Sequence, residues 1–223
     1  MKLIKPYYEI LTPIDGDNVL QTIEKVSRIC YKSEDKITND SAKKLVKSLI
    51  ERGHEAMIEF FDITIKFVCD RGVSHELVRH RLADFAQEST RYCDYSKDKF
   101  DNQITFIIPN WISDEQIDMV QRMNERNYIK IDETTRTWYH LMLECEQSYN
   151  MLIKLGWQPQ QARAVLPNSL KTEINVKMNL RSWRNFFRLR VANAAHPQMR
   201  ELTRPLLDEL KTKIPIIFDD ITY

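Results

Sequence analysis

Glycine is scarce enough in this chain to exclude two phosphate-binding motifs at once: among 223 residues, only Gly16, Gly53, Gly72 and Gly156 are glycine. No two of them fall at the spacing of G-x-G-x-x-G, and none begins G-x-x-x-x-G-K-[ST]. The chain therefore lacks both glycine-rich turns that let backbone amides close on a phosphate. A nucleotide bound here must be held largely by side chains, or by a loop that needs no glycine. The length suits one substantial domain with a sizeable core.

The formal charge is +1, which argues against a globally basic nucleic-acid binder and leaves any anion site to a local concentration of cations. Cys30, Cys69, Cys93 and Cys145 are widely spaced and form no C-x-x-C pair, so they read as reduced core thiols of a cytoplasmic protein, with no metal site. Met1 to Pro6 breaks before any useful apolar run, and no later apolar segment has the length to span a bilayer. The expectation is a soluble protein that engages neither membrane nor nucleic acid.

Apolar periodicity predicts a helix capped by Asp17 through Val19, Ile23, Val26 and Ile29. A second opens at Asp40-Ser41 and carries Leu45, Leu49 and Ile50. Phe61 to Phe67 alternates apolar with polar, as a half-buried strand does. Ser74 reads as the cap of a helix bearing Leu77 and Val78. Ile104 to Ile108 is a short apolar run stopped by Pro109. Ser113 to Leu155 is helical in character, broken near 130–132. Pro159 opens a short helix through Ala162 and Val165 that Pro167 stops. The parity of Leu170, Thr172, Ile174, Val176 and Met178 predicts another strand. Ser182 reads as the cap of a helix through Phe186 and Leu189, and a last helix runs from about Pro197 to Thr212. Helices interleaved with three or four strands imply an α+β fold: a modest mixed or antiparallel sheet covered by helices, in a single domain over 1–223.

Two clusters carry the chemistry. The first is Arg79-His80-Arg81-Leu82-Ala83-Asp84-Phe85-Ala86-Gln87-Glu88-Ser89-Thr90-Arg91-Tyr92. Arginine grips phosphate in a planar bidentate fork, and several together call for an anion. On one continuous helix Arg79 and Arg81 would point about 200° apart, so either the helix ends there or two ligands are served. Gln87, Ser89 and Arg91 share a parity that would put an amide, a hydroxyl and a guanidinium on one side of an extended segment. The bland alternative is a solvated basic helix and a turn. The second cluster holds Arg181, Arg184, Arg188, Arg190 and Arg200 without one Asp or Glu between Arg181 and Arg200, which implies an external partner for unpaired cations. Arg184 and Arg188 read as solvated, and Arg190 as nearer the core. Asn179, Arg181 and Asn185 combine groups able to read a heterocycle. Arg163 sits on a short apolar helix, where snorkelling is the alternative. A non-catalytic binder of RNA or nucleotides, or a scaffold for an acidic partner, would use the same arginines.

Arg79-His80-Arg81, seven residues, Ser89, then Arg91-Tyr92 resembles the signature of the flavin-dependent thymidylate synthases. Ala162-Arg163-Ala164-Val165-Leu166-Pro167, Asn179-Leu180-Arg181-Ser182 with Asn185, and Leu189-Arg190 follow in the order of that family. The resemblance covers roughly His54 to Arg200. It implies reductive methylation of dUMP to dTMP, with 5,10-methylenetetrahydrofolate as carbon donor and FAD, recharged by NADPH, as hydride carrier. It also implies a homotetramer with active sites at subunit interfaces and FAD shared between chains.

By matching position, His54, Arg79, His80, Arg81, Gln87, Asn179, Arg181 and Asn185 would hold FAD. Glu76, Arg79, Gln87, Glu88, Ser89, Thr90, Arg91, Arg163 and Arg190 would hold dUMP. Arg190 would lie against the pyrimidine and favour ionisation at N3, and it is the expected catalytic residue. A fixed guanidinium beside the ring stabilises negative charge developing there. Ser89 has no evident general base and reads as a ligand donor, and Cys93 lacks a visible activating context for a nucleophile. Departures from the commonest family pattern fall at Ala56, Glu76, Asp84 and Gln87, and around His196 and Gln198.

Overall fold

The computed structural model describes residues 1–97, 100–122 and 130–223. Among them the strands are β1 (Lys2–Ile4), β2 (Tyr7–Ile10), β3 (Asp62–Asp70), β4 (Asp84–Gln87), β5 (Thr105–Ile107) and β6 (Lys171–Asn179). The helices are α1 (Gly16–Ile29), α2 (Ser41–Glu51), α3 (Arg71–Leu77), α4 (Asp114–Gln121), α5 (Glu133–Lys154), α6 (Pro159–Ala162), α7 (Leu180–Arg190) and α8 (Pro197–Lys213). β1 and β5 pair in parallel, with Leu3 opposite Phe106. A second sheet has the order β2-β3-β6-β4. This is an α+β fold. Among the described residues no helix is long and apolar enough to cross a membrane.

The chain divides into two compact units. One comprises Tyr7–Phe67, Glu76–Ala86 and Ile174–Tyr223. Its core gathers Phe67, Trp183, Phe186, Phe187 and Phe218, with Trp183 and Phe187 stacked at 5.7 Å and Phe186 edge-on to Trp183 at 5.1 Å. Trp183 also donates its indole N–H to the Ile63 carbonyl at 3.0 Å, so the largest side chain of α7 is buried without a stranded donor. Gly16 is required here by close approach: a Cβ would stand 2.3 Å from the Lys213 carbonyl oxygen at the end of α8. Gly53, with φ +71°, follows α2 in the left-handed conformation that ends helices at low cost.

The other unit comprises Met1–Pro6, Val68–His75 and Gln87–Glu173. Tyr95, Ile104, Phe106, Met142, Tyr149, Ala162 and Leu170 form its core. The amino terminus is pinned by an ion pair of the Met1 ammonium with Glu146 at 2.8 Å.

Periodicity located most elements, whereas the caps shifted. Asp15, not Asp17, caps α1, accepting from the amides of Asp17 and Asn18 at 3.1 and 3.2 Å, and Asp17 lies in the first turn, where a carboxylate suits the helix dipole. Asn179, not Ser182, caps α7, its side chain accepting from the Ser182 amide at 2.8 Å. Ser74 lies inside α3 and donates to the Arg71 carbonyl; Asp70 takes the capping role, accepting from the Val73 amide at 2.8 Å. Leu189 is 56% exposed, outside the apolar stripe of α7. Cys69 is buried and Cys93 and Cys145 are half-buried against the core of the second unit, whereas Cys30 is exposed, so the expectation of core thiols fails for Cys30. β1, β2 and β4 are not among the expected strands, because three or four residues carry too little periodicity to register. Of the helical stretch expected from Ser113 to Leu155, residues 123–129 lie outside those described.

Candidate active site

α3 ends at Leu77, and the chain then turns twice, the Arg79 amide donating to Glu76 and the His80 amide to Leu77. The helical divergence of Arg79 and Arg81 therefore never arises. Leu82, 83% exposed, follows with φ +55°, a conformation uncommon for a residue with a side chain. This bend, together with α7, walls a cavity of about 690 Å3 lined by Arg79, His80, Arg81, Arg181, Asn185 and Arg190. The size is that of a small-molecule site.

Four arginines of the second cluster, Arg181, Arg184, Arg188 and Arg190, are paired, with acids that come from other elements; among the described residues Arg200 makes no ion pair, and its Nη1 donates to Asn193. Arg184, only 1% exposed, donates to both Asp220 carboxylate oxygens at 2.7 and 2.9 Å, to Glu55 at 3.0 Å and to the Ile217 carbonyl. It is a structural cation, contrary to the solvated reading. Arg188 shares Glu55 and Asp220 at 3.2 and 3.4 Å. Arg181 meets Glu59 at 2.6 Å, and Arg190 meets Glu76 at 2.6 Å. No single-sequence pattern announced Glu55, Glu59 or Asp220 as partners, because they lie more than thirty positions from the arginines they meet. Arg79 and Arg81 differ: both are exposed and make no ion pair among the described residues. Unneutralised charge in the cavity comes mainly from the first cluster.

Arg190 is the most constrained of the lining cations. Its Nε donates to His80 Nε2 at 2.9 Å, Nη1 to the Glu76 carboxylate at 2.6 Å and Nη2 to the Glu76 carbonyl at 3.1 Å. Burial first, and the Arg190 charge second, lower the His80 pKa from 6.5 to about 4. Asn179 spends its side-chain oxygen on the α7 cap and does not line this cavity. Nor does His54, which with Arg52 and Ala56 borders a second cavity of about 550 Å3.

The remaining candidates belong to the other unit. β4 ends at Gln87, whose amide donates to Ser74 and Thr172 hydroxyls at 3.0 and 3.2 Å. Beyond it the chain does not stay extended, so the parity of Gln87, Ser89 and Arg91 has no shared face. Ser89 instead starts a turn, its carbonyl accepting from the Tyr92 and Cys93 amides. Its hydroxyl accepts from the Arg91 amide at 3.3 Å. Thr90 accepts from Arg163 Nη1 at 3.2 Å, which brings a guanidinium from the turn after α6 to the hydroxyl-bearing loop. Glu88 is held by Tyr95 and Lys171, each at 2.8 Å. Burial would lower Lys171, but the Glu173 and Glu88 carboxylates outweigh it and keep the ammonium above its ordinary pKa. Burial and Glu88 together push the Tyr95 phenol far up. Gln87 and Glu88 therefore brace the loop, while Ser89, Thr90, Arg91 and Arg163 supply its donors.

The chain as a whole is similar to known proteins. Residues 14–216 match the family described as Thy1, thymidylate synthase complementing protein. A flavin-dependent thymidylate synthase of Pyrococcus furiosus is 30% identical over 198 residues, covering 86% of this chain and 74% of that protein. One from Corynebacterium aurimucosum is 31% identical over 207 residues, covering 89% and 78%. Among solved structures, a UMP/dUMP methylase PolB from Streptomyces cacaoi, bound with 5-Br UMP, superposes with a TM-score of 0.72 at 16% identity. It covers 98% of this chain and 95% of its own, a likeness of fold. The chain belongs to the thymidylate synthase complementing protein family, whose curated relatives are flavin-dependent thymidylate synthases.

Proposed function

We infer that this protein is a flavin-dependent thymidylate synthase acting as one functional domain. It methylates C5 of the uracil in dUMP, taking carbon from 5,10-methylenetetrahydrofolate, and FAD reduced by NADPH supplies hydride. The observation that carries the reading is the convergence of Arg79, Arg81, Arg181, Asn185 and Arg190 on one cavity, in a chain without a glycine-rich phosphate turn. Arg79 and Arg81, exposed and without ion pairs among the described residues, suit the diphosphate of FAD, and Asn185 and Arg181 lie beside them. Arg190, already fixed by three hydrogen bonds, offers a preorganised cation to a pyrimidine on which negative charge develops. Ser89, Thr90, Arg91 and Arg163 supply hydroxyl and guanidinium donors of the kind a nucleotide phosphate requires.

His54 lies at the second cavity, as a ligand of FAD would if that dinucleotide were shared between protomers of a homotetramer. A cytoplasmic location follows from the same biosynthetic role. Release of tritium from C5-labelled dUMP tests the reaction. Release should require FAD, NADPH and methylenetetrahydrofolate together; release that persists without flavin, or none with all three, overturns the assignment.

A further inference from the structure

His80 and its neighbours Arg79 and Arg81 occupy different physical situations. The two arginines are exposed, whereas His80 is 9% exposed and lies edge-on to Phe186 with ring centroids 4.8 Å apart. Its Nε2 is already engaged as the acceptor for Arg190 Nε at 2.9 Å. An imidazole that accepts at Nε2 carries its proton on Nδ1, and a protonated ring would set one N–H against another. The pKa of about 4 agrees with that arrangement. The charged groups around it are Arg190 on α7, Glu76 on α3 acting through Arg190, and Arg79 and Arg81 beside it in the chain. Arg181, Arg188, Glu55 and Glu59 line the same cavity.

Glu76 completes the arrangement. Its carboxylate and its carbonyl take Nη1 and Nη2. Three of the five guanidinium N–H groups are thereby spent on fixing its plane, and two remain for a ligand. Without the His80 contact, the guanidinium could pivot about the Glu76 pair.

We propose that His80 is a positioning residue for Arg190, fixing through Nε2 the plane in which the guanidinium meets the pyrimidine, and that it does not bring charge to the flavin dinucleotide. The proposal rests on the reading that Arg190 touches dUMP.

Two measurements decide it. Long-range proton–nitrogen NMR on the labelled wild-type protein should show His80 as the neutral Nδ1–H tautomer at pH 7 and still neutral at pH 5.5; an Nε2–H tautomer, or titration near its ordinary value, overturns the proposal. In kinetics, His80→Phe keeps the ring against Phe186 and removes the acceptor. It should retain FAD affinity while kcat falls on the order of tenfold to a hundredfold, the scale of a misaligned catalytic group. His80→Gln, which returns an acceptor, should recover most of that loss. In Arg190→Ala, adding His80→Phe should cost nothing further, since residues acting as one unit are not additive. A His80→Phe protein that loses FAD and regains its rate in excess FAD, or whose loss multiplies with that of Arg190→Ala, overturns it. Should His80→Phe fail to fold, the tautomer and His80→Gln still decide. A wild-type protein inert towards dUMP would instead sink the enzyme reading, leaving the tautomer to judge the Arg190 contact.

Discussion

Arg190 concentrates the chemistry of the site in one side chain whose plane is held by His80 and Glu76. Arg190→Ala should lower kcat by about two orders of magnitude, the usual cost of removing one preorganised donor, while the purified variant remains yellow. Flavin absorbance and tritium release measured on the same sample separate the two effects. His80 makes a pH prediction as well. The unfolded chain protonates this imidazole near 6.5, whereas the folded chain resists until about 4. Unfolding therefore takes up a proton across that window, and stability falls as pH drops through it, by at most about 1.4 kcal/mol per pH unit. Urea midpoints between pH 7 and 4.5 should show the slope in wild type and lose part of it in His80→Phe.

At the level of elements, α7 serves both core and cavity. Its buried face carries Leu180, Trp183, Arg184, Phe186 and Phe187, and its other residues reach the cavity. Arg184 ties the helix to Glu55 in the 3-10 turn Glu55–Phe60 and to Asp220 in the C-terminal tail. Arg184→Ala would take from Glu55 its buried partner, leaving Arg188 to share that carboxylate and the half-exposed Asp220, and should cost about 1.5–3 kcal/mol by urea denaturation. A deficit under about 1 kcal/mol would mean that solvent already screens the cluster. At the start of α1, Gly16→Ala drives a methyl against the Lys213 carbonyl of α8; the backbone has to shift, and a loss of about 1–3 kcal/mol is expected, read as a lower melting temperature. Helix caps were the least legible feature of these elements. Asp15 and Asp17, like Asn179 and Ser182, are equally good cap residues by type, and only the backbone conformation chooses between them.

For the whole molecule, the homotetramer proposed above predicts four chains per particle by light scattering, with dilution to smaller species releasing flavin. A monomer that keeps stoichiometric FAD would refute the shared site. Much was legible in the sequence alone: the α+β class, the strands around Phe61–Phe67 and Leu170–Met178, most helices, and the family through Arg79-His80-Arg81, Ser89 and Arg91. Those follow from local periodicity and from side chains whose chemistry does not depend on their neighbours. Tertiary structure alone decided which arginines are free. A stretch without acids looked unpaired along the chain, yet Glu55, Glu59, Glu76 and Asp220 arrive from distant positions to neutralise Arg181, Arg184, Arg188 and Arg190. Coulomb attraction and desolvation act through space, so the state of a charge is set by what folding places within a few ångströms of it.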